Sequence, residues 1–250
     1  MSGITRRLFL VSSAAFPLGC SLHRAGIESA PASVRQPTVG QSWRYAKLDG
    51  LSRKLIDEQI DRVAAVGTDV RVDSSSEITG ARPKKLWGGK WLAHVAASDV
   101  AAGPLPAEVQ SPWGRVVVDP HWPDVQVYET PVPLWPAELR AGWSARFATK
   151  YRTPAREVGM WWNQTMTAHG WEAVTVPAGR FTALRFTNMI DFADADGART
   201  NCVRKETLWL APEVGRWVVR ESSGSYYLTD SADDTPFEES SYRWELISYL

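Results

Sequence analysis

Few residues in this chain have the type and spacing that a reaction needs. The four histidines, His23, His94, His121 and His169, stand far apart. None makes an H-x-H or H-E-x-x-H pair that a strand or helix could aim at one ion, so zinc catalysis is disfavoured. Ser42 and Ser144 sit in a G-x-S order but lack the second glycine of a nucleophile elbow, and the start of a strand is the wrong place for one. In the loop DFADADGAR, a calcium-binding register would put Phe192 first and Val203 twelfth, neither with a carboxylate. Asp194, Asp196 and Gly197 read better as a hairpin turn. With only Cys20 and Cys202, a cysteine-rich zinc site is excluded. No catalytic residue, metal or cofactor is therefore expected, and the chain reads as non-enzymatic. An enzyme would need a pocket joining His121 and Asp124 to a nearby carboxylate.

Tryptophan is the unusual residue: there are 13, all between Trp43 and Trp244. So many large rings must fill an aromatic core, form a binding surface, or do both. Trp143, Trp162 and Trp209 lie on strand faces beside other apolar residues and belong to a core. Trp113, Trp122 and Trp135 stand instead in SPWGR, PHWPD and PLWPAE, between strands. These three are the candidate surface for stacking a sugar or docking a partner.

The first twenty residues carry an address. In TRRLFLVSSAAFPLGC the apolar run is too short for the roughly 20 residues of a membrane-spanning helix, and Pro17 interrupts it. A charged start, a short apolar stretch and small residues make an export signal, here residues 1–19. Thr5, Arg6, Arg7, Phe9 and Leu10 resemble the twin-arginine consensus, and PLGC resembles the lipobox of bacterial lipoproteins. That resemblance implies a lipid on Cys20, and Ser21 after it implies the outer membrane, facing the periplasm. Cys202 then has no partner for a disulfide and reads as a small buried hydrophobe. Residues 20–39, rich in Ala, Ser and Pro, form a flexible tether that could reach on the order of 60 Å when extended. Removing Arg6 and Arg7 leaves 26 basic against 28 acidic residues, and neither sign dominates. No nucleic-acid partner is expected, and the group Arg82, Lys84, Lys85 and Lys90 reads as a solvated loop. The expected partners are the membrane, through the anchor, and an envelope protein or glycan.

Residues 40–250 form the folded body, and they read as strands. AGWSARFATKY alternates Trp143, Ala145, Phe147, Thr149 and Tyr151 against Ser144, Arg146, Ala148 and Lys150. VGMWWNQTMTAH alternates in the same way, with Gln164 as the exception on the apolar face. Nine further short strands follow between Gly-, Pro- and Asp-rich breaks, too close together for helical crossovers. One segment disputes this, because Ile56, Ile60, Val63 and Gly67 fall at helical spacing. Against a helix stands an internal similarity: GQSWRYA at Gly40 and GWSARFA at Gly142 each lead to a turn glycine and a Val-x-Val, at an offset of about 102 to 104 residues. It favours strand for 54–66 and implies pseudo-repeats of about 40–130 and 140–250. The expected fold is all-β, with antiparallel strands in a sandwich or an open, barrel-like curved sheet and few helices.

Two motifs carry a further resemblance. Val176, Pro177, Ala178, Gly179 and Phe181 form V-P-A-G-x-F, and Trp209, Pro212, Glu213, Val214, Gly215, Arg216 and Val218 form W-x-x-P-E-V-G-R-x-V. Together they resemble a signature of uncharacterised bacterial envelope proteins and lipoproteins. That resemblance implies a β-rich fold at the envelope; the group has no established activity, so it speaks to fold and location rather than to a reaction. Physically, Pro177 with Gly179 and Pro212 with Gly215 set two tight reversals between strands, a structural role.

Overall fold

The computed structural model describes residues 33–77, 103–104, 106–122, 124–195, 197–230 and 235–250. The leader, Cys20, most of the tether and the basic group from Arg82 to Lys90 lie outside them. All the regular structure among the described residues is strand: β1 (Ser42–Asp49), β2 (Leu55–Val66), β3 (Val70–Glu77), β4 (Gly103–Pro104), β5 (Glu108–Gln110), β6 (Arg115–Asp119) and β7 (Gln126–Pro133). The second half supplies β8 (Ser144–Thr153), β9 (Arg156–Val176), β10 (Gly179–Phe192), β11 (Arg199–Ala211), β12 (Arg216–Leu228), β13 (Phe237–Glu238) and β14 (Tyr242–Tyr249).

Neighbouring strands pair antiparallel, mostly in chain order, as short connections require. Two pairings then convert the curved sheet into a ring. β14 lies between β1 and β12, and β11 pairs β12 from Arg199↔Leu228 to Ala211↔Arg216. The result is a closed antiparallel barrel of twelve strands, with β4 and β13 as short additions. The expectation of an all-β fold holds, and the ring is thin between β7 and β8, which pair only at Val127↔Arg152 and Tyr128↔Tyr151. Residues 54–66, disputed between strand and helix, are strand β2.

The outer face mixes charged residues with a few exposed apolar ones, Val127, Val158, Trp161 and Met189 among them. Arg146, Lys150 and Arg152 project outward from β8, and Arg185 and Asp191 from β10, all exposed. A barrel that crosses a bilayer presents a continuous apolar band, and here charged residues on β8 and β10 interrupt the exposed apolar ones. No helix among the described residues is long and apolar enough to cross a membrane.

One end of the barrel collects both described termini and the turns before β3, β6, β8, β10 and β12. It is laced to the incoming chain. Arg35 N donates to Pro212 O at 2.8 Å, and Val214 O accepts from Trp43 Nε1 at 3.0 Å and Gln41 Nε2 at 3.2 Å. The turn formed by Pro177 and Ala178 donates Ala178 N to Leu246 O at 3.1 Å. Gly179 and Gly215 take φ of +137° and +80°, a region that glycine enters without a Cβ penalty.

Inside are two apolar clusters. Trp43, Tyr45, Met166, Phe186, Leu208 and Val218 belong to the one near the tether, and Trp122, Tyr128, Tyr151, Trp162, Phe192 and Cys202 to the other. Three consecutive strands each place one polar side chain at the inward slot between them. On β9 it is Gln164, between Trp162 and Met166; on β10 Asn188, between Ile190 and Phe186; on β11 Glu206, before Leu208.

Candidate functional site in the barrel interior

The polar slots belong to a girdle of charged groups that crosses the interior. Its centre is Arg216, the first residue of β12 and only 3% exposed. The reversal from Pro212 to Gly215 aims it inward. Its Nη2 lies 3.1 Å from Glu108 Oε2 on β5 and 3.3 Å from Asp61 Oδ2 on β2, two carboxyl groups that are themselves buried. Burial works against the guanidinium charge, but Glu108 and Asp61 outweigh it and hold the group ionised. The ring of Trp43 lies 5.3 Å away. Four residues further along β12, Arg220 pairs through Nη2 with Glu206 on the neighbouring β11. Ser74 Oγ and Gln59 Nε2 both donate to Asp61 Oδ1, at 2.7 and 2.8 Å, and Gln110 Nε2 donates to Glu108 Oε1 at 2.5 Å.

His121 enters this girdle from the loop between β6 and β7. Its Nδ1 is 3.0 Å from Asp119 Oδ1 and 3.6 Å from Glu108 Oε2, while Nε2 is 3.2 Å from Gln59 Nε2. In the neutral ring, Nδ1–H donates to Asp119 and Nε2 accepts from the Gln59 amide. The charged ring donates from both nitrogens and needs Gln59 to turn its amide oxygen inward. Burial favours the neutral form. The hydrogen bond to Asp119 and the charges of Asp119, Glu108 and Asp61 overcome it and raise the His121 pKa. Asp119 responds in the opposite sense: burial pushes its pKa up, and the His121 contact more than reverses that. Trp122, the next residue, donates Nε1 to Asp119 Oδ2 at 3.0 Å and lies under Arg204, whose guanidinium is 3.9 Å from the ring centre.

Between these groups is a chamber of about 50 Å³, lined among others by Glu108, His121, Gln164, Asn188, Arg216 and Arg220. Five buried polar atoms of its lining residues have no hydrogen-bond partner within the protein: Trp162 Nε1, Gln164 Oε1, Asn188 Oδ1, Arg216 Nε and Arg220 Nε. One water takes about 10–15 Å³ of such space, so the chamber has room for a few waters and is far below the roughly 300 Å³ of an organic ligand site.

The sequence-derived candidates divide. Trp113 and Trp135 lie together near the tether, ring centres 5.4 Å apart, and Trp113 stacks on Trp43 at 6.2 Å. Both are half-buried, and Trp113 Nε1 donates to Arg35 O at 3.1 Å. Trp122 is 6% exposed in the far cluster, so the three do not form one surface, and Trp122 is corrected to an interior residue. Its flanking prolines mark the loop that folds it inward. His121 does meet carboxyl groups, but they are Asp119 and Glu108; Asp124 is exposed and takes no part. No group of three or more metal-ligating side chains occurs among the described residues. Cys202 is buried in the far cluster. Asp61, Glu108, Asp119 and Arg220 were not singled out by sequence. The available signal was Gln164, the one polar residue on an otherwise apolar strand face.

No family model matches the chain, and no curated protein matches it. Among solved structures, the barrel is similar to a candidate lipoprotein from Parabacteroides distasonis, at 11% identity and a TM-score of 0.49, over 89% of this chain and 100% of that one. It is also similar to a candidate exported protein with a YmcC-like fold from Bacteroides fragilis, at 12% identity and a TM-score of 0.48, over 88% and 100%.

Proposed function

We propose that this chain is a lipid-anchored protein of the cell envelope, exported by the twin-arginine route and held in the outer membrane by acyl chains on Cys20, facing the periplasm. Its barrel is a non-enzymatic body that binds or supports another envelope component, a protein or a glycan. The observation that carries this reading is the order of parts: charged leader, lipobox-like cysteine, tether, then a body docked to the tether's end at Arg35. The charged residues of the outer face support a body that stands in water beside a membrane. The small, ion-paired chamber supports a structural interior, because an organic substrate has no room there.

Cell fractionation tests the anchor. The native chain is expected with the membranes, and Cys20→Ala in the soluble periplasmic fraction; a Cys20→Ala chain that stays with membranes would refute it. Crosslinking in intact cells, with identification of what the barrel touches, tests the partner.

A further inference from the structure

A second cavity, of about 220 Å³, lies apart from the girdle, where the β1–β2 turn meets β11, β12 and β14. Strand register builds it. Thr207, Glu221 and Arg243 stand opposite one another across three strands, and Lys205 opposite Ser223 on the next rung. Arg53 overhangs from the turn.

Its charge is net positive. Glu221 Oε1 accepts from Arg243 Nη1 at 2.6 Å and lies 3.6 Å from Arg53 Nη2, so one carboxylate serves two guanidiniums. Lys205 is exposed and makes no ion pair among the described residues. Three cations, Arg53, Lys205 and Arg243, thus meet two carboxylates, Glu221 and the Glu245 that flanks Arg243, which leaves one cation in excess. Arg243 is also held by Glu245 Oε1 at 2.6 Å and by the Trp209 ring at 5.9 Å, so it is positioned in advance of any ligand. The hydroxyls of Thr207, Ser223 and Ser241 line the same space.

We propose that this groove binds an acidic sugar unit, a phosphate or carboxylate carried on a sugar ring. The cations take the anionic group and the serine and threonine hydroxyls take the ring hydroxyls. The volume suits one ring rather than a chain end buried whole. The proposal gives a ligand class to the envelope partner named above, and depends on that reading only for where the ligand is met.

The full-length chain in a neutral detergent, titrated calorimetrically with glucose 6-phosphate and glucuronate, tests it, with glucose and inorganic phosphate as comparators. Saturable binding of the acidic sugars is expected, weaker for phosphate, absent for glucose and falling with added salt. The exposed pair Arg53→Gln and Lys205→Gln should weaken it about tenfold, and Arg53→Lys with Lys205→Arg should restore most of it. No saturable binding up to about 10 mM, equal binding of glucose, or unchanged affinity in the Gln pair overturns the proposal. Binding to phosphatidylglycerol vesicles without binding to the acidic sugars overturns it too. None of these outcomes moves the fractionation of Cys20→Ala, so the two readings fail separately.

Discussion

Arg216 shows what a buried charge does in this interior. Its two carboxyl partners come from β2 and β5, far from β12 in the sequence and three and five strands away around the ring, so the ion pairs tie together strands that do not pair with one another. Removing one member of such a set leaves the others charged and dry, which costs about 3–5 kcal/mol. Arg216→Met is therefore expected to lower unfolding free energy by about that amount in urea titrations. Adding Glu108→Gln and Asp61→Asn should recover much of the loss, since the amides need no counter-charge. His121 gives the pH dependence. Its pKa is raised on folding, so its contribution is complete below the unfolded value near 6.5 and is lost as pH climbs through the folded value. Asp119, with a lowered pKa, contributes above its unfolded value near 3.8 and loses that as pH falls. Stability should be greatest between these limits and decline on the alkaline side. His121→Gln should flatten the alkaline decline, measured as urea midpoints against pH; an unchanged slope would assign it to other groups.

At the scale of elements, strands whose inward face is apolar were legible and those with a polar inward face were not. β8 and β9 alternate as their sequences do. β2 turns Gln59, Asp61 and Val63 inward and leaves Ile56 and Ile60 on the less buried face, so its apolar residues fall at a spacing that imitates a helix. Ring closure was not legible, because it depends on β14 reaching β1 and β12 across the whole chain. Nor was the girdle, since Glu108 and Arg216 meet only after closure. The turn before β6 gives an element-scale test. Gly114 has φ +87°, and a Cβ there would lie 2.5 Å from Trp135. Gly114→Ala must both strain the backbone and displace a packed indole, and about 2 kcal/mol or more is expected. Trp emission should shift with it, since Trp135 packs on Trp113, whereas Gly142→Ala, with φ +79° but open space, should cost only the backbone part.

For the whole molecule, barrel width explains the composition. Eight strands enclose a space that ordinary side chains fill, and twelve enclose more. Here the extra space is taken by indole rings and by long, paired Arg, Glu and Gln side chains, which accounts for a tryptophan-rich chain with an ionic centre. A closed ring also ties its parts together, because no strand can peel away without breaking pairings on both sides. Cys202 reports on this. It is 2% exposed on β11, in the cluster far from the tether, while the indoles stand in both clusters, Trp43, Trp113 and Trp135 at the near end and Trp122 and Trp162 at the far one. In a Cys20→Ala chain, Cys202 is the one remaining thiol. If the girdle and the closed ring make the two clusters one cooperative unit, thiol labelling of Cys202 and loss of native Trp emission should share a single urea midpoint. Labelling at lower urea, accompanied by only part of the emission change, that of Trp122 and Trp162, would mean that the far cluster opens alone and that the ion pairs divide the barrel where they are argued to join it.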